Sequence, residues 1–122
     1  SYMIVAGLPQ HREDHAQILY QLCFELHRIA GGFVDDEGNS IRLRIGLNSG
    51  PAVSGVIGKT KFAFDVWGDT INTTARLEAH GEPGKVHMSE RTYLIIKDQF
   101  DLDLEASEVV MKGKGKVTTY LV

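Results

Sequence analysis

The chain has 122 residues, a formal net charge of -3, 43% hydrophobic and 24% charged residues. That is enough chain for one domain with its own core, and the composition excludes a disordered segment. The acidic balance disfavours a nucleic-acid backbone as the main partner. Cys23 is the single cysteine, which excludes an intramolecular disulfide and a zinc site built from cysteines, and fits a reducing compartment. No apolar run approaches the roughly 20 residues of a membrane span, and no signal-peptide pattern opens the chain.

Ser1 to Ala6 reads as the middle of a strand, so an upstream part of the domain is expected to be missing. Tyr2 to Leu8 is rich in β-formers and stops at Gly7-Leu8-Pro9, which predicts a strand and a breaker. The clearest helix follows, with Leu19, Leu22, Cys23, Leu26 and Ala30 on one apolar stripe. Glu13 and Asp14 are expected in its first turn and His27 and Arg28 in its last, where the helix dipole favours them. Gly31-Gly32 ends it. Cys23 on the stripe reads as packing.

Asp35 to Asn39 predicts a polar turn, because it lacks the spacing of a calcium loop. Ile41, Leu43, Ile45 and Leu47 alternate with polar or small residues, a half-buried strand. Asn48-Ser49-Gly50-Pro51 is a turn cluster, and Ala52 to Ile57 is a second strand. The expectation is an antiparallel hairpin of these two strands. Gly58 to Lys61 reads as a basic tip, followed by the apolar run of Phe62, Phe64, Val66 and Trp67. Asp69 is a candidate N-cap for a helix to about Ala79. A loop at His80 to Gly84 leads to a strand at Val86 to Met88 and a short helix capped by Ser89. Two further strands are expected around Phe100 to Leu104 and Val117 to Val122, with Lys112-Gly113-Lys114-Gly115 between them. The class is α/β or α+β with a mixed or antiparallel sheet.

Four residues stand out for chemistry. Ile71 and Ala75 are four apart on the predicted helix and can face the sheet, and Asn72 and Arg76, also four apart, share an edge about 100° further round. An amide above a guanidinium suits a ligand with a sugar and a phosphate. By spacing alone, a surface pairing of Arg76 with Glu78 or Glu82 is the better account. Asp65 lies between Phe64 and Val66 and must point to solvent or find a donor. It is either a structural cap or an acceptor for a base amino group. Lys112 and Lys114 form a glycine-interleaved pair; a solvated turn is the better account by itself, and a phosphate contact is the alternative. His11 and His15 are at i, i+4, but no third metal ligand of obvious spacing accompanies them.

Several segments, in the right order, resemble one family. The run Asp65 to Glu78, then Gly81 to Ser89, looks like the catalytic core of class III nucleotidyl (adenylyl and guanylyl) cyclases. Ile45 to Pro51 resembles that family's IGIHSGP hairpin, with Asn48 where many members have His. Tyr2-Met3 with Ala6 to Pro9, and Lys112 to Gly115, resemble two further segments. The similarity spans essentially all of residues 1–122, read as a partial catalytic domain.

The resemblance implies a ferredoxin-like cyclase fold, an α/β sandwich without its N-terminal part. It implies conversion of ATP to 3′,5′-cyclic AMP and pyrophosphate. Asp65 would accept the adenine amino group, whereas guanylyl cyclases usually have Cys or another small residue there. Asn72 would orient the ribose, Arg76 would stabilise charge on the α-phosphate, and Lys112 would contact the terminal phosphates. The family uses two Mg2+ ions, whose aspartate ligands would lie upstream of Ser1, so residues 1–122 alone are expected to be inactive. The implied partner is a second cyclase domain in a head-to-tail dimer, expected to be a homodimer. The implied location is cytoplasmic, with any regulatory domain or tether elsewhere in the protein. A guanylyl cyclase, or a silent cyclase-like module that only dimerises or regulates, are the alternatives.

Overall fold

The computed structural model describes residues 1–57 and 63–122. The predicted basic tip at Gly58 to Lys61, with Phe62, lies outside them. The elements are α1 (His15–Gly31), β1 (Ile45–Leu47), β2 (Val53–Ile57), β3 (Ala63–Trp67), α2 (Asp69–Ala79), β4 (Val86–Ser89), α3 (Glu90–Ile96), β5 (Glu105–Met111) and β6 (Gly115–Leu121). β1, β4, β6 and β5 form one sheet in that order, and β2 and β3 form a separate two-stranded sheet. β1 runs parallel to β4, and the other two pairings are antiparallel. The fold is therefore the expected α+β type with a mixed sheet.

The alternation along β4 sorts the helices. Successive side chains of a strand point to opposite faces. Val86 and Met88 join Ala16, Tyr20 and Cys23 of α1 and Ile96 of α3 in the larger core cluster. His87, between them, points the other way and bonds α2: its ring Nδ1 is 2.7 Å from the Leu77 carbonyl, and its Nε2 is 2.7 Å from Thr119 Oγ1. Leu77 packs there with Val109 and Met111. Two helices thus cover one face and α2 covers the other. Cys23 is packed as expected, and burial pushes its thiol up to about 12.

Gly46 sets how closely α2 can approach. It pairs with His87, so it faces α2, and a Cβ there would collide with the backbone of Thr74 and Glu78. A bare backbone lets the helix lie directly on the strand. Gly46→Ala is expected to push α2 outward and destabilise the fold by about 1–3 kcal/mol, the range for overpacking. Chemical denaturation of the wild type and variant checks this; an unchanged midpoint contradicts it.

Several expectations are corrected. Tyr2 to Leu8 is not a strand: it has no ladder partner among the described residues, and Tyr2 is 94% exposed. Composition favoured β structure there, but strand formation needs a neighbouring backbone. β1 is only three residues long and does not pair with β2. The hairpin is instead β2 with β3, in register from Val53↔Trp67 to Ile57↔Ala63, while β1 reaches β4 through the α2 crossover. Phe100 to Leu104 is not a strand either; Phe100 and Leu102 pack on the core as irregular chain, and β5 begins at Glu105.

At the helix ends, α1 begins after Asp14, so its first turn carries no acid, and of the two expected basic residues only Arg28 lies in its last turn. Gly68 is the N-cap of α2, and Asp69 is its first residue. The Ser89 cap holds, accepting from the Thr92 N–H at 3.2 Å. The polar turn holds as well: Asp35 Oδ1 accepts from the backbone N–H groups of Glu37 and Asn39.

Candidate functional site

The four singled-out residues lie along the route from β3 through α2 to the β5–β6 turn. Asp65 is exposed in the middle of β3, opposite Gly55. One of its oxygens, Oδ1, accepts from the Val66 N–H at 2.8 Å. It is a local cap, as one of the two sequence readings had it, and its second oxygen keeps acceptor capacity. Gly68 then turns the chain directly into α2, two residues after Val66.

Asn72 and Arg76 are both exposed on α2. The buried residue of the helix is Leu77, and Ala75 is exposed rather than facing the sheet. The apolar stripe was too short to fix the helix rotation, which Gly46 decides by admitting the Thr74–Glu78 backbone. Arg76 pairs with neither expected partner. Glu78 is taken by Arg44 at 3.0 Å and Glu82 by Lys85 at 3.3 Å. Arg76 Nε instead donates to the Val110 carbonyl of β5 at 3.2 Å. That bond anchors the side chain and leaves its Nη fork unengaged among the described residues.

Lys112 is exposed in the turn joining β5 to β6, which closes at Met111↔Gly115. Gly113 and Gly115 have φ of +78° and +70°, a backbone that only glycine adopts without strain. The turn bends over α2: Lys114 Nζ lies 2.6 Å from Asp69 Oδ2 and 3.5 Å from Thr73 Oγ1. Asn72, Arg76 and the turn bearing Lys112 are therefore associated through α2. Asp65 stands apart on β3, at the head of the same helix.

The sequence reading had Lys114 as one of a lysine pair and Asp69 as a cap, and it missed that the two are partners. The i, i+4 spacing of Asp69 and Thr73 was a usable signal; their partner, some 40 residues on, was not.

Two cavities flank the region. One, of about 460 Å³, lies between the starts of α2 and α3 and β6, with Asp69, Thr73, Ser89 and Lys114 in its wall. The other, of about 430 Å³, lies between residues 3–8 and β1, and reaches Ile71 and Arg91. None of the four candidate residues lines either; they sit on an outer edge.

His11 and His15 have no third candidate ligand beside them among the described residues. His15 Nδ1 is 3.0 Å from the Arg12 carbonyl, and among the described residues no three His, Cys, Asp or Glu side chains converge. No helix among the described residues is long and apolar enough to cross a membrane.

Comparison with known proteins supplies the context. The family described as "Adenylate and Guanylate cyclase catalytic domain" matches residues 1–122. An adenylate cyclase of Mycobacterium tuberculosis is 38% identical over 98% of this chain and 27% of its own length. The receptor-type guanylate cyclase gcy-28 of Caenorhabditis elegans is 41% identical over 98% of this chain and 10% of its own. Among solved structures, the guanylate cyclase domain of RhGC from Catenaria anguillulae, in complex with GTP, superposes with a TM-score of 0.84 at 37% identity. It is matched over 95% of this chain and 63% of that one. The chain thus spans about a quarter or less of these curated relatives and under two thirds of the solved domain. With the whole chain matched and the fold shared, this protein belongs to the adenylate and guanylate cyclase catalytic domain family.

Proposed function

We propose that the chain is the nucleotide-reading part of an adenylyl cyclase catalytic domain. The observation that carries this is the α2 edge. Asn72 and Arg76 stand there in the open, the Arg76 fork is unengaged among the described residues, and the turn with Lys112 is tied to the same helix.

The reaction joins the ribose 3′-oxygen to the α-phosphorus and breaks the bond from that phosphorus to the bridging oxygen. Pyrophosphate leaves with the electron pair of that bond, and the 3′-hydroxyl proton passes to solvent water. Such a transfer asks mainly for positioning and for stabilisation of developing charge. Asn72 orients the ribose. The Arg76 fork meets the α-phosphate oxygens as their charge grows. Lys112, as a point charge, holds the terminal phosphates. The uncommitted oxygen of Asp65 accepts from the adenine amino group.

Mg2+ is part of the proposal through the family resemblance, with two ions held by residues outside this chain. Among the described residues no three His, Cys, Asp or Glu side chains converge to hold them.

The proposed partner is a second cyclase domain, as a head-to-tail homodimer with the site at the interface. Two features favour an interface. The four residues lie on an outer edge, and one face of the β2–β3 hairpin exposes Val53, Ile57 and Trp67, an apolar surface of the kind partners cover.

A second reading, a guanylyl cyclase, is favoured by the close guanylate cyclase relatives. Asp65, an acceptor that suits an amino group, tips the choice to ATP. The test is product analysis with the full-length protein. It should release 3′,5′-cyclic AMP and pyrophosphate one for one from ATP. Hydrolysis without a cyclic product, or no turnover, contradicts the proposal.

A further inference from the structure

The β5–β6 turn is held to α2 on both sides of Lys112. Val110, two residues before it, accepts the Arg76 Nε–H at 3.2 Å. Lys114, two residues after it, pairs with Asp69 at 2.6 Å and reaches Thr73 at 3.5 Å. Asp69, Thr73 and Arg76 are spaced at four and three residues, so they form one row along α2. The ladder ends at Met111↔Gly115. Among the described residues, 112–114 therefore have no strand pairing to fix their attitude and are held by the Lys114 N–H to Met111 carbonyl bond and these side-chain ties.

We infer that Lys114 is a positioning residue: its ion pair with Asp69 latches the β5–β6 turn to the first turn of α2 and sets where Lys112 stands relative to Asn72 and Arg76. The inference rests on the cyclase reading of Lys112 and Arg76. The latch acts through the helix: the row facing the turn fixes it, and the adjoining edge with Asn72 stays open. The pair is solvent-exposed, at 43% and 75% for the two side chains, so its effect is modest. Exposed pairs shift an equilibrium by about two- to fivefold at most.

The experiment compares Lys114→Met, Lys114→Arg, Asp69→Asn and the swap Asp69→Lys with Lys114→Asp in the full-length protein. Two readouts are taken: steady-state kinetics with ATP, and amide hydrogen exchange of residues 111–116 without nucleotide. The latch predicts about two- to fivefold faster exchange and a similar rise in KM for both Lys114→Met and Asp69→Asn. It predicts little change in kcat, since phosphate holding by Lys112 serves the ground and transition states alike. Lys114→Arg should stay near wild type, and the swap should recover part of the loss. A general loss of stability would lower the active fraction and leave KM unmoved, which overturns the latch.

Asp69→Asn also separates the latch from a direct phosphate contact by Lys114. Freeing Lys114 would then lower KM, and that result overturns the latch. Unchanged exchange in both single variants overturns it as well. If the wild type forms no cyclic nucleotide, the cyclase reading fails, and the exchange data alone decide the latch.

Discussion

Arg76→Ala in the full-length protein is expected to lower turnover with ATP by about 10²- to 10³-fold, the scale for losing a donor aimed at developing charge. The loss should fall on kcat more than on KM, because the α-phosphate gains charge only as the reaction proceeds. Two features make the side chain suited to this role. Its Nε is already spent on the Val110 carbonyl, so the guanidinium is held in place before nucleotide arrives. Its Nη fork is left over, and only a fork can meet two phosphate oxygens at once. Arg76→Lys keeps the charge but loses both features, so it should recover only part of the activity. Steady-state kinetics of the three proteins checks this, and turnover in Arg76→Ala within threefold of wild type contradicts the assignment.

The second large effect concerns the base. Asp65→Cys is expected to erode the preference for ATP over GTP by about 10- to 100-fold, the worth of a hydrogen bond to a charged acceptor. The change removes an acceptor for the adenine amino group and leaves the exposed strand position otherwise intact. The bond from Val66 N–H is lost as well, but at an exposed site water replaces it cheaply. The ratio of kcat/KM for ATP and GTP, measured for both proteins, is the readout. An unchanged ratio would mean that Asp65 serves only as the local cap it already is.

The sequence carried most of the helices and little of the sheet order. α1 was legible because its stripe repeats over several turns and a glycine pair closes it. α3 was legible from one serine cap. Pairing was not, since a strand's neighbour is set by the whole chain and not by its own residues. β1 alternates as an exposed hairpin strand would, yet it lies parallel to β4, more than 30 residues on. The two acids of Asp101-Leu102-Asp103-Leu104 imitate strand alternation, but the ladder partner of β6 begins one residue later.

The site residues were legible as types and spacings, not as partners. Asn72 and Arg76 share a helix edge in the structure as their spacing requires. That Arg76 is tied to β5 and Lys114 to α2 depends on contacts across 34 and 45 residues, which no local pattern encodes. Glycine was the most informative residue type overlooked. Gly46 looked like one polar-face position in an alternating strand, yet it fixes the seat of α2 and with it the direction in which Asn72 and Arg76 point.

The central claim, a cyclase that acts on ATP, is tested most directly by initial rates of cyclic nucleotide formation from ATP and from GTP, measured side by side on the full-length protein. The account predicts 3′,5′-cyclic AMP from ATP, with kcat/KM at least about tenfold above that for GTP, as loss of one charge-assisted hydrogen bond implies. Equal or greater efficiency with GTP, or no cyclic product from either nucleotide, would contradict it.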